Sequence, residues 1–232
     1  MSHGKSRKQR ITSDSNAVIS GVVFDAFGTI VRISRRTNPY RELIREGRRQ
    51  GVELKSDSLH IAMTANLSLD DMALTLGVAL TPSRRQELYR RLEVELSSIE
   101  PYADAIEAIS LLSAAGIKTG ICSNLAGPYG PKVREIFPHM DGYAFSFEAG
   151  VTKPDPGIYR LICDQIGVEP GHYFSDTSGR VLMIGDSQRC DRDGPRDAGV
   201  MGFHLDRSGR GKIQDLVQFA RTVIDRNTSQ EA

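Results

Sequence analysis

Four short polar clusters stand out along the chain. They are Asp25-Ala26-Phe27-Gly28-Thr29, Ser123-Asn124, Lys153-Pro154, and Gly185-Asp186-Ser187 with Asp191 a little further on. Together they hold three carboxylates, one ammonium and small hydroxyl or amide donors. Ionised acids at close range repel and need a cation to remain charged. Mg²⁺ meets that need, because it binds through one or two carboxylates, waters and substrate oxygens. Lys153 adds a second positive charge. An Asp carboxylate can also act as a covalent nucleophile. Metal and lysine together would offset the charge on a phosphoryl group during transfer.

These clusters can cooperate only if the fold gathers them. The segment Val18 to Asp25 is a short run rich in Val, Ile and Phe that ends in an acid, and it reads as a buried strand. Ile117 to Cys122, Val181 to Gly185 and Val200 to Leu205 read the same way, and Tyr143 to Phe147 is a fifth candidate. Helical spacing lies between them. In Tyr102 to Ala115, the apolar positions Tyr102, Ile106, Ile109 and Leu112 form one stripe, opposite Asp104, Glu107, Ser110 and Ser113. Asp155 and Pro156 open a second helix, with Ile158, Leu161, Ile162 and Ile166 as its stripe and Gly167 as its stop. Alternating strands and helices predict an α/β fold: a Rossmann-like, three-layer core around a parallel sheet. Open sheets of this kind bind ligands at the carboxyl ends of their strands, which is where the polar clusters fall.

From about residue 35 to residue 100 only helical patterns are visible. Asn38-Pro39 opens one helix that runs to about Gly51. Thr81-Pro82 opens another, with Leu88, Leu92, Leu96 and Ile99 on one face. This block is expected to be an all-helical cap, residues 35–100, inserted into a catalytic core made of residues 18–34 and 101–232. Residues 1–17 are polar and basic and are expected to form a disordered tail. The chain has 232 residues, with a formal net charge of +1, so bulk charge makes no case for nucleic acid. It contains no apolar run of the roughly 18 residues that membrane spanning needs and no apolar signal segment. Three widely spaced cysteines, Cys122, Cys163 and Cys190, give no disulfide or zinc pattern. A cytoplasmic enzyme is the expectation, with the oligomeric state left open.

The ordered set D-A-F-G-T at Asp25, S-N at Ser123, K-P at Lys153 and G-D-S-x-x-x-D at Asp186 resembles the four motifs of the haloacid dehalogenase-like hydrolase superfamily. The likeness covers roughly Val18 to Asp206, and the helical block stands where that family carries its small cap. The resemblance implies Asp25 as nucleophile, Ser123 and Asn124 as substrate hydrogen-bonders, and Lys153 as charge stabiliser. Thr29, in the first motif, joins the substrate-binding candidates. The resemblance further implies Mg²⁺ held by Asp25, the backbone carbonyl of Phe27 and Asp186, with Asp191 in support.

One position departs from the pattern. Phosphatases of this family carry a second Asp two residues after the nucleophile, which protonates the leaving group and then activates water. Here that residue is Phe27. Loss of a positioned acid–base costs about 10²–10⁴-fold. Alkoxide leaving groups suffer most; aryl phosphates, acyl phosphates and anhydrides suffer least. An aromatic residue at this position also resembles the 2-haloacid dehalogenases, which expel halide without a proton and without a metal. Those enzymes lack the acids that this chain keeps in Asp186 and Asp191. The expected activity is therefore a Mg²⁺-dependent phosphohydrolase acting through an aspartyl-phosphate on a small anionic metabolite. The alternatives are a metal-free dehalogenase and a ligand-binding member with little turnover.

Taken singly, each motif has a plainer explanation. Ser123-Asn124 are common turn residues, Lys153 is an ordinary loop lysine, and Asp186 or Asp191 can cap a helix. Arginines crowd the cap region, and most belong to a solvated helix face. Arg41 and Arg45, one turn apart, are the candidates for gripping an anionic substrate. His172 to Arg180 is a surface loop or hairpin by default.

Overall fold

The computed structural model describes residues 18–55, 58–170 and 180–231. The expected tail at 1–17 and the loop at 172–179 lie outside them. The chain begins with β1 (Ile19–Phe24) and β2 (Val31–Ile33). Four helices follow: α1 (Pro39–Arg49), α2 (Ser58–Thr64), α3 (Leu69–Leu76) and α4 (Pro82–Ser97). Next come β3 (Ile99–Pro101), α5 (Ala103–Ala114), β4 (Lys118–Ser123), α6 (Tyr129–Ile136), β5 (Gly142–Phe145), α7 (Ser146–Ala149) and α8 (Pro156–Ile166). The last elements are β6 (Arg180–Gly185), β7 (Met201–His204) and α9 (Leu216–Glu231).

The main sheet is parallel, in the order β5-β4-β1-β6-β7. The central strand β1 sets the register: Phe24 lies opposite Ile121 of β4 and Ile184 of β6. One residue past Phe24, and two past Ile121 and Ile184, Asp25, Ser123 and Asp186 therefore meet at one sheet edge. Side chains alternate between the two faces. Val22, Phe24, Leu182 and Ile184 pack toward α5 and α9, whereas Val23, Val181 and Met183 pack toward α8. That alternation makes three layers. Full burial of a side chain such as Phe24 or Ile184 contributes about 1.5–3 kcal/mol.

Local chemistry sets the ends of α8. The Asp155 carboxylate accepts the Gly157 amide at 2.8 Å, Pro156 occupies the first turn, and Gly167 stops the helix at φ 69°. Helix α5 departs from its expected stripe. Ala105, Ala108 and Leu112 are buried, while Ile106 is 52% exposed. The small alanines let α9 approach closely. Asp104, expected on the solvent face, instead takes the Arg207 guanidinium and the Leu216 amide. The fifth strand also ends early. Phe147 belongs to α7, where the Ser146 hydroxyl accepts the Leu125 amide and draws the chain into a turn.

The helical insert is present, but it does not begin or end on helices. Strands β2 and β3 form an antiparallel pair at its base, with Arg32 opposite Glu100. Ile99 therefore belongs to β3 and not to α4. Leu88 and Leu92 of α4 are buried as expected. Among the described residues no helix is long and apolar enough to cross a membrane.

Candidate active site

Lys153 is the centre of the strand-end cluster. Its ammonium donates to Asp25 Oδ1 at 2.7 Å, to Asp191 Oδ1 at 2.7 Å and to the Cys122 carbonyl at 2.8 Å. All three donor positions are thus filled, and the side chain is almost completely buried. Burial alone pushes a lysine pKa down. Here the Asp25 and Asp191 charges outweigh it and hold Lys153 well above its usual value. Ser123 Oγ also donates to Asp25 Oδ1, at 3.0 Å. Asp25 Oδ2 receives only a long contact from Thr29 Oγ1, at 3.5 Å, so it is the oxygen with lone pairs to spare.

Carboxylate oxygens of Asp25, Asp186 and Asp191 lie within 4.8 Å of one another. Asp191 is buried, and its Oδ2 accepts the Ser187 amide at 2.9 Å. Its pKa is raised by burial first, with Lys153 opposing. Asp186 stays open to solvent, yet desolvation, followed by the charges of Asp25 and Asp191, pushes its carboxyl up to about 6. One cation serves this set poorly, because Lys153 touches Asp25 and Asp191 but forms no ion pair with Asp186. A divalent ion at Asp25 and Asp186 suits the remaining charge, so the donor set fits Mg²⁺. The backbone turn fits as well. Thr29, Ile30 and Val31 all send their amides to the Ala26 carbonyl, which leaves the Phe27 carbonyl outside that set. Gly28 sits at φ +88°, and a Cβ there would lie 2.1 Å from Asp186 Oδ2. Only glycine allows this approach.

The comparisons with known proteins agree with this arrangement. A family model described as haloacid dehalogenase-like hydrolase matches residues 19–199. The chain belongs to the haloacid dehalogenase-like hydrolase family. It is 26% identical over 170 residues to (S)-2-haloacid dehalogenase 4A of Burkholderia cepacia, covering 64% of this chain and 70% of that protein. It is 30% identical to the glyceraldehyde 3-phosphate phosphatase of Methanopyrus kandleri, covering 53% of this chain and 50% of that one. A solved HAD phosphatase from Thermococcus onnurineus shares the fold, with a TM-score of 0.59, 21% identity, and coverage of 88% of this chain and 98% of the other. The protein is accordingly a hydrolase of this superfamily.

Within the hydrolase the candidate residues take different positions. Thr29 is fully buried; its hydroxyl accepts the Asp186 amide at 3.1 Å and faces Asp25, so it braces two acids and has no open side toward a substrate. The Asn124 amide exchanges two hydrogen bonds with the Lys153 backbone, at 2.7 and 2.9 Å, which fixes the lysine loop. Asn124 also lines a cavity of about 300 Å³ beneath the helical insert, together with Phe27 and Arg41. Arg45 is not part of that cavity. It lies one turn, about 6 Å, further along α1, pairs with Glu42 and is 65% exposed. Of the two candidate arginines, Arg41 lines this cavity and Arg45 does not. Several contributors carried no motif signal. Arg207 forks onto Asp104 and donates to the Thr29 carbonyl at 2.7 Å, which ties the turn after β1 to α5. His204 Nε2 lies 3.1 Å from the Asp186 carbonyl.

Proposed function

We propose that this hydrolase is a Mg²⁺-dependent phosphohydrolase acting through an aspartyl-phosphate on small phosphorylated metabolites with good leaving groups. The convergence of Asp25, Asp186 and Asp191 around buried Lys153 carries this reading. Residues 35–100 are taken as the cap, and residues 18–34 with 101–232 as the catalytic core. In the first step an Asp25 carboxylate oxygen forms a bond to phosphorus. The bond from phosphorus to the leaving oxygen breaks, and its electron pair departs with that oxygen. In the second step water attacks phosphorus and loses a proton to solvent, while the bond from phosphorus to the Asp25 oxygen breaks and its electron pair returns to that oxygen. Inorganic phosphate leaves, and the Asp25 carboxylate is restored.

Lys153 and Ser123 hold Asp25 Oδ1, so the carboxylate is oriented before substrate arrives. The Lys153 charge offsets part of the negative charge that gathers in transfer. Asp25, Asp186 and the Phe27 carbonyl would hold Mg²⁺, with Asp191 in support. When bound, the ion supplies charge stabilisation for phosphoryl oxygens. Phe27 cannot donate a proton, which restricts efficient turnover to leaving groups that depart as stable anions.

A dehalogenase is the second reading, favoured by Phe27 and by the dehalogenase relative. One assay separates the two. Phosphate release is measured from acetyl phosphate and p-nitrophenyl phosphate, and chloride release from 2-chloropropionate, each with Mg²⁺ and with EDTA. Phosphate release that requires Mg²⁺ and vanishes in Asp25→Asn supports the proposal. Chloride release insensitive to EDTA supports the second reading.

A further inference from the structure

The cavity beneath the insert has a wall chemistry that the strand-end cluster does not use. Its aromatic side is a series of rings. Phe27 meets Tyr129 edge-to-face, with centroids 5.8 Å apart at 89°, and Tyr129 lies 6.5 Å from Tyr40. Ile33, Leu59 and Met63 complete an apolar lining. At about 300 Å³ it is at the small end of ligand pockets.

Against this apolar lining stand polar groups without partners. The Tyr40 hydroxyl is buried and makes no hydrogen bond, although Tyr40 is only 7% exposed. A buried donor without an acceptor is unusual enough to need a reason. Arg36 and Arg41 line the same cavity, and among the described residues neither makes an ion pair or side-chain hydrogen bond. Glu95 is also in the wall; its Oε2 accepts the Thr37 hydroxyl and the Asn38 amide, and Arg36 and Arg41 bring two positive charges against its one negative charge. The free chemistry is one phenolic donor and two guanidinium groups, which suits a carboxylate.

Asp25 and Asp186 do not line the cavity; it meets the catalytic cluster through Phe27 and Asn124. We propose that it receives the leaving group: a flat aromatic ring that ends in a carboxylate, held by Tyr40 Oη and Arg41. The substrate class is then an aryl phosphate bearing an acid on its ring, an assignment that rests on the phosphohydrolase reading. Phe27 fits this class twice. Its ring lies against the aromatic body, and a phenolate leaves without the proton that Phe27 cannot supply.

The test uses 4-hydroxybenzoate and 4-hydroxybenzamide as binding probes, measured by calorimetry on the full chain. The carboxylate is expected to bind at least about tenfold more tightly than the amide. Tyr40→Phe and Arg41→Gln should each shrink that ratio by about fivefold or more. Equal affinities, no binding, or an unchanged ratio in Tyr40→Phe overturn the assignment. Turnover of 4-carboxyphenyl phosphate is then compared with that of 4-carbamoylphenyl phosphate. The amide has the more acidic phenol, so chemistry alone favours it; a higher kcat/KM for the carboxylate supports recognition by the cavity. Discrimination in binding without phosphate release from either ester supports the cavity and overturns the phosphohydrolase reading. Phosphate release without any preference does the reverse.

Discussion

Lys153 lies between Asp25 and Asp191 with almost no contact with solvent, whereas Arg45 on α1 pairs with Glu42 while most of its side chain remains in water. Both are ion pairs, but they are built differently. At the strand ends Lys153 Nζ and Asp25 Oδ1 each have more than one partner, drawn from separate elements. Lys153 reaches β1, β4 and the turn after β6; Asp191 also takes the Ser187 amide. On the insert, Arg84 of α4 meets Glu42 and Glu46 of α1 at 3.4 and 3.1 Å, and Arg45, Arg49 and Arg91 add pairs within single helices. The pairs made by the exposed Arg45 and Arg49 contribute little, because water and salt screen them. Buried ones leave an uncompensated charge when one partner is lost. The strand-end charges are thus held by burial among several elements, whereas Arg45 and Arg49 of the insert pair within one helix at its surface.

Lys153→Met should be the most damaging change. It removes the cation from two buried acids and should destabilise the fold by about 3–5 kcal/mol, as read by denaturant melts, with turnover lost as well. Mg²⁺ should recover part of the stability and none of the missing lysine's share of the rate. Phe27→Asp supplies the carboxyl that the chain lacks at this position. With an acid restored beside the nucleophile, kcat/KM for an alkyl phosphate should rise by about 10²–10⁴-fold, while acetyl phosphate, which needs no acid, gains far less.

The third effect is one of pH. Without metal, Asp186 keeps its proton up to about pH 6, whereas the unfolded chain releases it near the ordinary carboxylate value. The folded state therefore binds the extra proton. This group's contribution to stability is complete below about pH 4 and is lost as pH rises through about 6. Mg²⁺ must displace that proton to bind. The rise in Tm on adding Mg²⁺ should accordingly be larger at about pH 7.5 than at about pH 5; equal rises would contradict the assignment of Asp186. The smallest effect belongs to the insert. Arg45→Ala should leave kcat/KM within about twofold and the melting curve nearly unchanged.

The legible parts of this molecule were those with a period or a motif. Strands β1, β4, β6 and β7 were visible as apolar runs because parallel strands are buried on both faces. The ends of α8 were visible because Asp155, Pro156 and Gly167 each have a specific role there. The acids that converge were visible because they stand directly after those strands. Other features depended on the third dimension. Ile106 reads as core by spacing alone, yet α9 packs on the alanine face of α5. The β2–β3 pair is only three residues deep on each side, too short for any alternation to show. Tyr40 is one more aromatic residue in a helical stripe until its hydroxyl is seen to lack a partner. Arg207 reaches Thr29 across the fold and has no motif to announce it. Thr29 was noticed in the sequence, but its part in bracing Asp25 and Asp186 emerges only when β1 and β6 lie side by side.

The most direct test of the central claim is to trap the intermediate. The protein is mixed with acetyl phosphate and Mg²⁺, quenched in acid within the first turnover, and mapped by peptide mass. The account predicts a phosphoryl group on Asp25, present with Mg²⁺ and absent with EDTA. Phosphate release that persists in Asp25→Asn, with no modified Asp25 in the parent protein, would contradict it.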